Sequence, residues 1–524
     1  MLPQACKVSL LAGCACHYWY FAGSVCPLWA HWKGYRGRSG GTAEVKHILS
    51  IDQSTSGTKA LLLDETGALA GRADLPHRQI INQQGWVSHD PMEIYQNTIM
   101  ATRNLLNSTG ADSTSIVAMS ISNQRETALI WDRDTGEPVA DAVVWQCGRA
   151  QPICERLESH AETIRQKTGL RLSPYFPAAK WAWILENTPD ISGRSLCAGT
   201  IDSWLVCKLT GQHKTDYSNA SRSQLFNINT LTWDESLCHL FGVDPHMLPE
   251  VCMSDSCFGE TNMDGVLPHK IPIYGVLGDS HGALFGQGCV EPGMGKATYG
   301  TGSSVMVNVG QRPVFSGNGV VTSLAWGMGG KVEYVLEGNI NYTGSVIKWV
   351  VDSLGLLSSS KEAGTVAAGA NPEDDTYLVP AFTGLGAPHW KSDAKAILCG
   401  MSRSTGRAEI VKAAEESIGY QIADVIDAMR CEGVSLTELR ADGGPTRDSY
   451  LMQFQADILG LSVAVPEREE LSGIGAGYCA GIACGLYPSD INTRAERVVY
   501  SPKKDKAWRE KRLDGWKNAV NMLL

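Results

Sequence analysis

Two halves of one α/β plan, with a cleft between them, are what this sequence predicts. Two turns carry that expectation. The polar stretch Asp52-Gln53-Ser54-Thr55-Ser56-Gly57-Thr58-Lys59 links two apolar β-like runs, residues 48–51 and 59–63. A second turn, Tyr299-Gly300-Thr301-Gly302-Ser303, links two more β-like runs within residues 296–308. Glycine, serine and threonine in such turns present backbone N–H groups and hydroxyls to an anion. A third observation is a lone carboxylate: Gly278–Asp279 follows the apolar run 273–277 and precedes Ser280-His281-Gly282. One acid at a strand end suits a general base. Two phosphate-type turns and one isolated base point to a kinase of a small hydroxyl compound.

The elements follow in order. Strand-like runs at 48–51, 59–63, 116–121 and 128–131 alternate with helix-like runs. Residues 91–106 begin with a proline suited to helix entry and carry apolar residues at helical spacing. The second half repeats the logic: a strand at 332–336, helices at 344–354 and 407–429, and the run Leu439-Arg440-Ala441-Asp442-Gly443-Gly444 ending in a glycine turn. Strands alternating with helices predict sheets with helices packed on them. The boundary is placed at Glu291-Pro292-Gly293, which gives three segments: an unassigned extension at 1–45, a first domain at 46–293 and a second at 294–524.

The 524 residues allow two sizeable cores, and 43% hydrophobic with 19% charged residues is an ordinary globular mixture. A formal net charge of −10 argues against a nucleic-acid partner, which calls for a basic stripe. The 16 cysteines show no metal-ligand spacing and read as reduced thiols of a cytoplasmic protein. Residues 9–30 are apolar and precede Lys33, Arg36 and Arg38. That length suits a membrane anchor or a signal peptide, but a segment outside the working protein is the favoured reading, and no membrane partner is expected unless the anchor is real.

Each motif has a bland alternative. Asp52–Lys59 is either a phosphate turn, with Asp52 near Mg²⁺ and Lys59 on a phosphate, or a plain polar hairpin. It is not a Walker A loop. Arg125-Glu126 after the run 116–121 suits a polyol, one residue donating and one accepting, or else forms an ion pair. Trp145 stacks on a substrate or fills the core. Asp279 is the base, or an N-cap, or both. His281 is a second base or a structural donor.

These residues resemble the FGGY family of carbohydrate kinases, and within it the glycerol kinases. The resemblance is carried by ISNQRET at 121–127, VWQC at 144–147, Tyr175-Phe176-Pro177-Ala178-Ala179-Lys180-Trp181, GTIDSW at 199–204, DYSNASR at 216–222, TYGTG at 298–302, FTGLGAP at 382–388, DGG at 442–444 and LMQFQADIL at 451–459. It implies two actin-like, ribonuclease-H-like domains and an ATP- and Mg²⁺-dependent kinase of a small polyol, assembled as a homodimer or homotetramer. Asp279 is then the catalytic base. Arg125, Glu126, Tyr175 and Ser280 join it as substrate-binding residues. Thr55, Ser56, Lys59, Thr301, Gly344, Gly444 and Asp448 fall where the family binds nucleotide, and Asp52 where it holds Mg²⁺ through water.

The sequence departs from the glycerol-kinase pattern around the substrate. Ser280 stands where the pattern has glutamine and His281 follows it, while Ser304 replaces an aromatic. Lys59 replaces arginine, Asp448 replaces asparagine, and Gly148 interrupts an arginine pair. Smaller side chains enlarge a pocket. Glycerol therefore competes, as the expected substrate, with four- or five-carbon polyols and ketoses such as erythritol, xylitol, xylulose and ribulose. A non-catalytic sugar-binding or regulatory protein on the same scaffold is the alternative of another class.

Overall fold

The computed structural model describes residues 45–524. The extension at 1–44, with its apolar stretch, lies outside the described residues. The chain opens on three antiparallel strands, β1 (His47–Gln53), β2 (Gly57–Leu63) and β3 (Leu69–Pro76). Helix α1 (Pro91–Thr109) follows, with Pro91 at its entry, Asp90 accepting from the Met92 and Glu93 amides, and Gly110 closing it in the left-handed conformation. β4 (Ile116–Asn123) then returns parallel to β1, and β5 (Ile271–Gly278) parallel to β4. Ile48, Leu49 and Ile51 are fully buried, the pattern of a central strand covered on both faces. A five-stranded sheet formed between residues 80 and 200 packs alongside.

Helix α2 (Asp279–Gly286) begins directly at the end of β5. The second half then repeats the opening. β6 (Met294–Tyr299) and β7 (Ser303–Gly310) form a hairpin, β8 (Val321–Met328) and β9 (Lys331–Ile340) extend it on the β7 side, and helix α3 (Gly344–Asp352) follows. After the long helix α4 (Arg407–Cys431), β10 (Glu438–Asp442) returns parallel to β6. Helix α5 (Ser449–Leu459) leads to β11 (Val463–Pro466), parallel to β10. Helix α6 (Leu471–Ala483) and the edge strand β12 (Arg497–Tyr500) complete the sheet region. The strand orders β3-β2-β1-β4-β5 and β9-β7-β6-β10-β11 are the same order on two sheets.

Glycines bring the halves into close contact where α2 meets α6. A Cβ at Gly475 of α6 would lie 1.9 Å from the Gly282 carbonyl of α2, and one at Gly282 would lie 2.6 Å from the Ser472 carbonyl. The two helices therefore cross backbone to backbone, which only residues without a side chain permit. α6, supplied by the second half of the chain, also lies on β1, where a Cβ at Gly473 would sit 3.1 Å from that of Asp52. Lys46–Leu524 forms one compact unit. Among the described residues no helix is long and apolar enough to cross a membrane, and all the cysteines are free thiols.

Candidate active site

The strand ends of the two sheets carry the site. Asp52 lies near the end of β1, opposite Lys59 of β2 in register, and their charged groups are 3.7 Å apart. Lys59 also donates to Glu470, which holds Arg72 with its other oxygen. Burial raises the Asp52 carboxyl to about 6, and Glu470 and Asp279 push the same way against the pull of Lys59. Burial works against charge on Lys59, but Asp52 and Glu470 outweigh it and raise its pKa. Glu470 has φ 63° and Glu126 φ 60°, the left-handed region that side chains other than glycine enter at a cost of roughly 1 kcal/mol or more.

Next to Asp52 and Lys59 lies a cavity of about 620 Å³, walled on the other side by Asp442, Gly443, Gly444 and Arg447. Gly443 has φ 102°, and a Cβ there would come within 2.0 Å of the Tyr299 carbonyl, so the turn after β10 touches the turn after β6. Gly444 has open space where a Cβ would stand. Thr301 is exposed on the β6–β7 turn, and its carbonyl accepts from the Thr343 and Ser345 amides at the start of α3. Gly344 donates to the Gly300 carbonyl, 2.9 Å away. Thr55 and Ser56 form the first turn, and the Thr55 hydroxyl accepts from the Trp145 indole at 2.9 Å. Asp448 caps α5 through the Tyr450 amide and accepts from the Gly364 amide at 2.9 Å.

The second group of predicted residues meets around a buried ion network. Arg125 grips Glu337 with both terminal nitrogens, at 2.9 and 2.8 Å. Its Nε lies 3.1 Å from Asp279 Oδ1. Arg222 donates from Nε to Glu126 at 2.6 Å and brings Nη1 to 2.7 Å from Glu337. Glu337 is fully buried; even so, the two guanidinium groups overcome the burial penalty and hold its carboxyl well below the usual range. Gly278 permits this packing, since a Cβ there would lie 2.7 Å from Arg125 Cγ.

Asp279 is the first residue of α2, with Gly278 as its N-cap, so Asp279 is not the cap itself. Its side chain is 37% exposed, and both of its contacts, from Arg125 and the Ser280 amide, fall on Oδ1. Oδ2 accepts no hydrogen bond from the described residues, the condition a proton acceptor needs. Tyr175 stands edge-on to Trp145, ring centroids 5.6 Å apart. Lys180 is wholly buried and donates to the backbone carbonyls of both Glu126 and Tyr175, and burial lowers it to about 7. His281 is fully buried, and neither ring nitrogen has a hydrogen-bond partner. Burial and the nearby Arg125 keep it neutral.

Glu337, Arg222 and Glu470 had no part in the sequence expectation. Glu337 left one trace: an acid inside the apolar strand run Tyr334-Val335-Leu336-Glu337-Gly338 must find a cation. Arg222 ends the DYSNASR stretch, in which nothing singles it out from its neighbours.

The N-terminal domain of the FGGY family of carbohydrate kinases matches residues 47–286, and its C-terminal domain matches 295–484. This chain belongs to that family. Among relatives in the family, glycerol kinase 1 of Thermotoga maritima is 45% identical over 491 residues, covering 91% of this chain and 99% of that one. A glycerol kinase of Stenotrophomonas maltophilia is 43% identical, covering 91% and 98%. The crystal structure of Plasmodium falciparum glycerol kinase with ADP superposes with a TM-score of 0.86 at 34% identity, covering 92% and 98%. A xylulose kinase of Lactobacillus acidophilus superposes at 0.84 with 22% identity, which speaks for the fold alone. The fold is the two-domain fold expected for the family, and the chain is an ATP-dependent carbohydrate kinase.

Proposed function

We propose that this kinase transfers the γ-phosphoryl group of ATP to a primary hydroxyl of glycerol or a close polyol relative. The half-exposed Asp279, with one oxygen tied to Arg125 and the other unbonded, carries the reading. In-line phosphoryl transfer asks a protein for little beyond position, a proton acceptor and charge stabilisation. Asp279 Oδ2 accepts the proton as the hydroxyl attacks phosphorus. Arg125 donates to a neighbouring hydroxyl and Glu126 accepts from one, while Tyr175 and Ser280 border the carbon chain. Thr55, Ser56, Lys59, Thr301, Gly344 and Gly444 bind the nucleotide. Asp448 joins them, held in place by the Gly364 and Tyr450 amides.

Mg²⁺ fits beside Asp52. There burial raises the carboxyl, with Glu470 and Asp279 adding to it against Lys59, and a cation with water and phosphate ligands would favour its charged form. When bound, it would neutralise charge on the phosphates. We read the protein as cytoplasmic. The boundary at 291–293 is the proposed domain limit, and a homodimer or homotetramer the proposed assembly.

Ser304 favours a second reading. Its hydroxyl lies 3.4 Å from Glu337, at a position the family pattern gives to an aromatic, and the space left suits a four- or five-carbon substrate. ADP release should be measured with glycerol, dihydroxyacetone, erythritol, xylitol, xylulose and ribulose, with and without EDTA. Turnover strongest on glycerol and lost with EDTA supports the first reading. Preference for a longer compound supports the second. Tight polyol binding without ADP release overturns both.

A further inference from the structure

We propose that Glu337 is a positioning residue that sets the hydroxyl-binding groups of the first half from the second half of the chain. The inference rests on the polyol-kinase reading above. Glu337 lies on β9, 0% exposed, in a strand whose neighbours Val335 and Leu336 are also buried. A buried carboxylate is weak evidence of stabilisation, since an apolar residue of similar volume often serves as well or better. Its partners point to another role.

The two oxygens of Glu337 face two arginines. The bidentate grip on Arg125 fixes the plane of that guanidinium and leaves Nε 3.1 Å from Asp279. The approach of Arg222 Nη1 at 2.7 Å leaves its Nε bonded to Glu126. One carboxylate thus sets the orientation of Arg125 directly. It acts on Glu126 through Arg222, and on the base through Arg125. Arg125, Arg222, Glu126 and Asp279 come from the first half, and Glu337 from the second. Moving the second sheet relative to the first would move the polyol groups with it. Geometry of this kind matters for rate, because a misplacement of 1 Å can cost about 10²-fold.

The charge count makes the test practicable. The network holds two guanidinium groups against the carboxylates of Glu337, Glu126 and Asp279. Glu337→Gln leaves two against two and keeps an oxygen that can accept from Arg125. The experiment compares wild-type protein, Glu337→Gln and Glu337→Asp, each corrected for the fraction of folded enzyme by its melting curve. Steady-state constants are read separately for the polyol and for ATP. We expect kcat/KM for the polyol to fall by about 10² in Glu337→Gln. KM for ATP should stay put, and Glu337→Asp should recover part of the loss. A rise in KM for ATP matching that for the polyol, or unchanged constants per folded molecule, would overturn the proposal. If Glu337→Gln does not fold, Arg222→Lys is read by the same split, because lysine keeps the charge but cannot bridge Glu126 and Glu337 together. Wild-type protein inactive on every polyol would overturn the functional reading first, an outcome distinct from a variant that fails to show the split.

Discussion

The proposed hydroxyl side and the proposed phosphate side of this site are built in opposite ways. Around Arg125 the charges are buried and paired to one another before any ligand arrives, with Glu337 0% and Arg222 1% exposed. Around Lys59 the charges are paired too, but they border an open cavity of about 620 Å³ and Lys59 is partly exposed. Asp52 there carries a raised carboxyl that a cation would relieve. The difference teaches where orientation matters. A small polyol brings little binding energy, so its receptor groups must be held in place beforehand. A nucleotide brings charge and many contacts, so its side can be completed by the ligand.

That contrast can be broken at four points. The largest effect should come from Asp279→Asn, which keeps the shape but removes the proton acceptor. Turnover should fall by about 10² or more, with polyol KM little changed. Near-wild-type turnover in a folded variant would remove Asp279 from the mechanism. Gly443→Ala should come next, because its Cβ would press on the Tyr299 carbonyl and displace the turn beside the cavity. We expect KM for ATP to rise roughly tenfold, about 1.4 kcal/mol of binding, while polyol KM holds. A parallel rise in both constants would show that the two sides are not separable.

Lys59→Met should weaken ATP by a few-fold, about 1 kcal/mol, since its charge is shared with Asp52 and Glu470 and is partly exposed. Polyol constants serve as the control, and a loss confined to the polyol would contradict the assignment of the two sides. The sharpest test of specificity is Ser280→Gln with Ser304→Phe. Filling the space should move the ratio of kcat/KM values towards glycerol by roughly tenfold against a five-carbon compound. An unchanged ratio would mean that these serines do not line the substrate.

Much was legible in the sequence because it is local. The strands at both turns, the helix entered at Pro91 and the placement of Asp279 at a strand end follow from runs of apolar residues and from turn chemistry. Those signals act over a few residues. Element ends moved by two or three residues, as at α1, which runs on to Thr109, where Gly110 stops it. His281 and Asp448 show the limit. Both carry chemistry that suits a ligand, and the sequence does not show that one is buried without a hydrogen-bond partner or that the other accepts from backbone amides.

Local sequence alone fixes the α/β plan, its repetition, the two turns and an acid at a strand end, because hydrophobic period and glycine-rich turns are properties of neighbouring residues. Which charges meet depends on the folded chain. Arg125 finds Glu337 212 positions away, and Arg222 finds Glu126 96 positions away. Lys59 finds Glu470 at a separation of 411. Nothing in the spacing of a chain encodes such pairs. They form because two sheets and the glycine-lined crossing of α2 and α6 bring strand ends together, and because a buried charge is stable only where an opposite charge already waits.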